Sequence, residues 1–186
     1  MTKKLLTLVA GFALSATVAF ADTGGEGRKD LQVFNDISKA VTRYAQFTIF
    51  DSVDASVKDG VVTLTGRVTM PYKKDEIQKR VAKIDGVRQV RDEISVLPVS
   101  RFDDQLRHRI ARAIYSNPNF WNYAIMADPP VHIVVEHSRV TLTGVVQSEV
   151  DRMLARSIAT SQFGVMSVAN NLKTDAEAKE ALEKAF

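Results

Sequence analysis

The sequence predicts an α+β fold made of two tandem α-β-β-α-β units, each a small three-stranded mixed sheet with two helices packed on one face. Three observations predict it. The pentapeptide Val62-Thr63-Leu64-Thr65-Gly66 returns unchanged at Val140-Thr141-Leu142-Thr143-Gly144, and Gly86-Val87 returns as Gly164-Val165 at the same offset of 78 residues. A repeat of this length marks one supersecondary unit written twice. In both halves the apolar spacing then passes in the same order from helical to alternating and back. Finally, each unit is about 70 residues, too small for a generous core, so the copies are expected to pack on each other.

Residues 1–21 read as a secretory signal peptide. Met1-Thr2-Lys3-Lys4 is basic, Leu5 to Val18 is apolar or small, and Ala19-Phe20-Ala21 offers an A-x-A cleavage site before Asp22. The apolar run is short for a bilayer span, so the expectation is a periplasmic protein that begins near Asp22. Residues 22–29 are glycine-rich and without periodicity, a flexible lead-in.

The first unit, 30–98, opens with a helix over Asp30 to Tyr44, with Leu31, Phe34, Ile37, Val41 and Tyr44 on one face. A strand follows with Val53, Ala55 and Val57 inward, and Asp59-Gly60 is a strong hairpin signal. The return strand turns Val62, Leu64, Gly66 and Val68 inward, with Gly66 marking a bend or a closely packed helix. Pro71 starts a helix that runs over Lys73 to Ile84, and Val90 to Val96 is the last strand.

The second unit, 101–175, repeats this order. Its first helix, Asp103 to Tyr115, presents Leu106, Ile110 and Ile114 where the first has Val33, Ile37 and Val41, an offset of only 73. Five extra residues therefore lie within Ser116 to Pro130. Strands at Val131 to Val135 and Val140 to Val146, a helix over Glu149 to Gln162 and a strand at Val168 to Leu172 complete it. Residues 176–186 read as a solvated or loosely docked helix, with Glu180 and Lys184 spaced to pair.

Composition excludes several classes of function. The chain has 25 basic and 22 acidic residues, and without Lys3 and Lys4 the formal charge is +1. A nucleic-acid partner would call for a basic field that is missing. The absence of cysteine removes disulfides, a thiol nucleophile and a covalent lipid anchor. His132, Glu136 and His137 superficially suggest a metal set, but ligands strung along an exposed strand and its turn close poorly around a small ion. The first copy has Asp54 and Lys58 at the positions of His132 and Glu136. With no Gly-x-Ser-x-Gly elbow either, the residues call for no enzyme, no cofactor and no metal.

Laid out in this way the chain resembles the BON domain family, named for bacterial osmotically inducible periplasmic and nodulation proteins. The likeness rests on the two Val-Thr-Leu-Thr-Gly strands and on Gly-Val-x-x-Val at Gly86 to Val90 and Gly164 to Val168, whose glycines, with Gly66 and Gly144, form the structural motif. Asn170-x-Leu172 also matches, while Asp92-x-Ile94 departs by its aspartate. The resemblance covers about Asp30 to Asp175. It implies a non-enzymatic protein of envelope integrity or osmotic-stress tolerance, with an anionic phospholipid surface or envelope proteins as partners. A chaperone-like protein for unfolded or outer-membrane clients, or a small-ligand or ion sensor, is the alternative.

For lipid binding the residues point to Arg107, Arg109 and Arg112, with Arg101 just before the helix, followed by Tyr115, Phe120, Trp121 and Tyr123. Cations beside amphipathic rings suit the headgroup boundary of an anionic membrane. The competing expectation is a solvated helix face paired with Asp103 and Asp104, with Phe120 and Trp121 plugging the core or sealing the two copies together.

Overall fold

The computed structural model describes residues 23–186; the predicted signal peptide lies outside the described residues. The first unit runs α1 (Thr23–Thr42), β1 (Ser52–Lys58), β2 (Val61–Val68), α2 (Pro71–Val81) and β3 (Gln89–Val96). The second runs α3 (Arg101–Tyr115), a 3₁₀ turn at Pro118–Phe120, α4 (Trp121–Ala124), β4 (Val131–Glu136), β5 (Arg139–Val146), α5 (Glu149–Thr160) and β6 (Ser167–Thr174), and α6 (Asp175–Ala185) closes the chain. In each sheet a hairpin is joined by a strand that returns parallel after the helix, in the orders β1-β2-β3 and β4-β5-β6.

Helix α1 starts at Thr23, so the segment expected as a lead-in is helical. Its glycines and polar residues define no face, which hides it from periodicity. Packing of Val33, Ile37 and Val41 nucleates the helix downstream, and extension from an existing turn adds a hydrogen bond for each residue fixed.

The alternation buries one face of each sheet. Val57, Val62, Leu64, Val68 and Ile94 meet Ile37, Ile77 and Val81 in the first unit. Ile133, Leu142 and Leu172 meet Leu106, Ile110, Ile114, Ala155 and Ala159 in the second. Gly66 and Gly144 sit at φ of 120° and 114°. A Cβ there would strike the carbonyl oxygens of Ser52, the first residue of β1, and of Pro130, the residue before β4, so the close approach comes from the start of the neighbouring strand and not from a helix.

The two offsets of 73 and 78 meet at the hairpin turns. Asp30, at the start of the packed part of α1, accepts from the amides of Asp59 and Gly60 at 2.8 and 3.2 Å. Asp103 does the same for His137 and Ser138, both at 2.9 Å. His137 and Ser138 have φ of 50° and 63°, a left-handed pair without glycine, and the buried Asp103 carboxylate holds it in place.

The units join through the connector before β1. Ile133 donates its amide to the Ile49 carbonyl at 2.6 Å, and His132 Nδ1 donates to the Asp51 carbonyl at 2.6 Å. Ser52 and Thr143 hydroxyls lie 2.9 Å apart, and Arg67 reaches Glu136 at 2.8 Å. Phe50 meets His108 edge-on with ring centres 4.6 Å apart, and Phe47 tilts against His132 at 5.4 Å. At the far end α6 starts with a capping box at Thr174 and Glu177, carries the expected Lys184–Glu180 pair at 2.6 Å, and sets Phe186 against Phe34 of the first unit.

Candidate functional site

The outer edge of β4 decides what α3 has left to offer. Along this strand Val131, Ile133 and Val135 turn main-chain groups away from β5, and buried groups of this kind need partners. The Tyr115 hydroxyl donates to the Val131 carbonyl at 2.7 Å and accepts from the Val131 amide at 3.1 Å. The Ile49 carbonyl takes the Ile133 amide. Arg107 Nη2 donates to the Val135 carbonyl at 3.3 Å.

Arg107 is therefore a buried side chain, 5 % exposed, with Asp104 at 3.4 Å as its ion-pair partner. The expectation that it lies off the apolar face is corrected. The sequence held the signal: 107 is three residues before Ile110 and seven before Ile114, on the same helical stripe. Tyr115 is committed to the strand edge, where burial raises its hydroxyl pKa above the ordinary tyrosine value.

Two of the aromatics belong to the core. Phe120 is fully buried and packs on Tyr123. The Tyr123 hydroxyl donates to Asp151 at 3.0 Å and accepts from the Gln147 amide at 2.8 Å; burial first, and the Asp151 carboxylate after it, raise its pKa. Trp121 alone of these rings faces solvent, at 65 % exposure, followed by exposed Ile125. It does not seal the two units together; Phe47, Ile49 and Phe50 do.

What remains on the surface of α3 is a cationic stripe. Arg101, Gln105, Arg109 and Arg112 are exposed at spacings of four, four and three. Arg101, Arg109 and Arg112 form no carboxylate pair among the described residues, whereas Arg107 and Arg152 do. Arg109 Nη2 instead donates to the Phe163 carbonyl at 2.7 Å.

The sequence reading missed Asp51, which lies in a segment without periodicity. Its carboxylate is fully buried and takes the amide and hydroxyl of Thr48, those of Thr69, and the Lys73 ammonium at 2.6 Å. Burial alone would raise this carboxyl; the Lys73 ammonium and the threonine donors outweigh it and hold the pKa below the usual value. In the second unit the positions of Thr69 and Lys73 fall on Gln147 and Asp151, and Tyr123 takes the place of the hub carboxylate. Similarly Asp92 does the work of Asn170, each accepting from the amide two residues ahead.

Between the open sheet faces lies a polar groove of about 560 Å³, lined by Asp54 and Arg67 of the first unit and by Glu136, His137, Arg139 and Asn171 of the second. His132 and Glu136, the suspected metal set with His137, are both engaged across the joint. A separate exposed apolar tip surrounds Gly164: Phe163 is 86 % exposed, Met166 75 % and Phe102 49 %.

A family model described as BON domain matches residues 36–98 and again 102–176. No curated protein matches the chain. Among solved structures, the chain is similar to CdsD, a structural protein of the Type III secretion system of Chlamydia trachomatis, at 13 % identity, covering 83 % of this chain and 99 % of that one with a TM-score of 0.29. A structure of the C-terminal domain of CdsD matches at 12 % identity over 75 % of this chain and 96 % of that one, with a TM-score of 0.28.

Proposed function

The chain belongs to the BON domain family, as two tandem copies, and on that premise we propose that it is a non-enzymatic periplasmic protein that supports the cell envelope by binding anionic phospholipid through its second unit. BON domains bind phospholipids, occur in stress-related envelope proteins and are generally non-enzymatic. The observation that carries the reading is the exposed stripe of Arg101, Arg109 and Arg112 on α3, which has no carboxylate partner among the described residues. Each such residue contributes about 1 kcal/mol near an anionic surface. Binding is therefore weak, reversible and screened by salt.

Co-sedimentation with vesicles tests it. The mature chain is expected to pellet with phosphatidylglycerol vesicles at low salt, to be released at high salt and to ignore neutral vesicles. A variant with Arg101, Arg109 and Arg112 changed to alanine should lose most binding, while the strand edge and core stay intact because Arg107 is untouched; Arg101→Ala with Arg112→Ala, which keeps the Arg109 bond to Phe163, should lose part of it. Absence of any wild-type pelleting would refute lipid binding. The groove between the sheets supports a second reading, a module for a small polar ligand; isothermal titration with Arg67→Ala and Arg139→Ala variants tests that separately.

A further inference from the structure

We infer that the tip formed by Phe102, Phe163 and Met166 is a membrane anchor, whose apolar side chains enter an anionic bilayer while the α3 arginines lie against its headgroups. This rests on the lipid reading above and specifies how the surface is held.

Three observations converge on it. The first is the contrast between the copies. Phe163 and Met166 occupy the repeat positions of Asp85 and Arg88, and Phe102 that of Lys29. The same turn is charged in one unit and apolar in the other, so the fold itself does not require these side chains. They are also exposed, so they are not completing the core.

The second is the state of the main chain. A turn that leaves water must satisfy its polar groups internally. Here the Val165 amide donates to Gln162 O at 3.2 Å, the Met166 amide to Ser138 O at 2.9 Å, and the Phe163 carbonyl accepts from Arg109 at 2.7 Å. In the first unit the position of Arg109 is Asp36, which pairs with Lys39. The guanidinium at the base of the tip is thus also peculiar to the second copy.

The third is charge placement. The same Arg109 ties the tip to the stripe, so apolar side chains and a row of cations form one continuous surface. Apolar residues with a cationic collar suit an interface of acyl chains and anionic headgroups.

The chain has no cysteine, which makes site-specific labelling direct. The mature chain carrying Phe163→Cys is labelled with an environment-sensitive fluorophore, and Asp85→Cys is labelled in parallel as the matching site of the first unit. With phosphatidylglycerol vesicles the label at 163 is expected to shift to the blue and to be quenched by brominated acyl chains, while the label at 85 stays aqueous. A double variant Phe163→Asp, Met166→Arg, which installs the residues of the first unit, should bind vesicles about tenfold or more weakly through lost apolar burial, with an unchanged unfolding curve. Wild-type binding with an aqueous label at 163, or equal shifts at 163 and 85, overturns the anchor and leaves the lipid reading standing. No wild-type binding overturns both.

Discussion

Asp51 accepts five hydrogen bonds from three side chains and two amides while fully buried, and among the described residues Lys73 is its only ionic partner. Asp51→Ala would leave the Lys73 ammonium buried and unpaired, at a cost of about 3–5 kcal/mol, read as a fall in the urea midpoint. The pH dependence has a definite sign. The folded-state pKa lies below the unfolded value, so the contribution is complete above about pH 4 and is lost as pH falls through the lower folded value. The stability gap between wild type and Asp51→Asn is expected to hold at neutral pH and to close on acidification; a gap that persists in acid would exclude the ion pair as its source. Such a residue is not legible in sequence, because its partners lie in three separate elements and its own segment has no period. Arg107 was legible in principle: its stripe is that of Ile110 and Ile114, but its charge suggested solvent.

At the scale of elements, the β4–β5 turn illustrates how a strained backbone persists. His137 and Ser138 both adopt positive φ, a conformation that costs non-glycine residues about 1–3 kcal/mol each. Asp103 offsets this by accepting a hydrogen bond from each of the two amides, and bonds to a charged acceptor contribute about 1.5–3 kcal/mol each. Asp103→Ala should destabilise the second unit by several kcal/mol and expose the His137 and Ser138 amides to rapid hydrogen exchange. The matching Asp30→Ala should cost less, since Gly60 accepts its turn unaided. Equal effects would show that the carboxylate does not compensate for the missing glycine. Strands and helices were legible because alternation and helical spacing are set by burial, and Asp59-Gly60 announces its own turn. The second turn was legible only through the repeat, since His-Ser carries no turn signal and the residue that holds it lies on another element. The early start of α1 carries no periodic signal at all.

In the whole molecule, the length of the units predicted that they would pack together, but not through what. The sequence offered Trp121 as one sealing residue; the structure uses Phe47, Ile49 and Phe50, from a connector whose apolar residues follow no period. Phe50→Ala removes the ring that meets His108 and packs on the second core. In calorimetry it is expected to separate one cooperative transition into two, the first unit melting earlier; a single transition at lower temperature would mean that the coupling runs elsewhere. Of the candidate site, the exposed positions of Arg109 and Arg112 were legible, the burial of Arg107 was not read, and the apolar tip was not seen. Phe102, Phe163 and Met166 stand out only when each is set beside its charged counterpart in the other copy.

The hydrogen bond from Ile133 to Ile49 spans 84 positions of the chain. The chain emerges from its amino terminus, so the connector is out long before β4, and Ile49 and Phe50 must wait in water without the second core that covers them. The first unit is thus made first and finished last. A chain ending after Val99 would present those two side chains to whatever chaperone stands nearby, and arrival of the second half withdraws them.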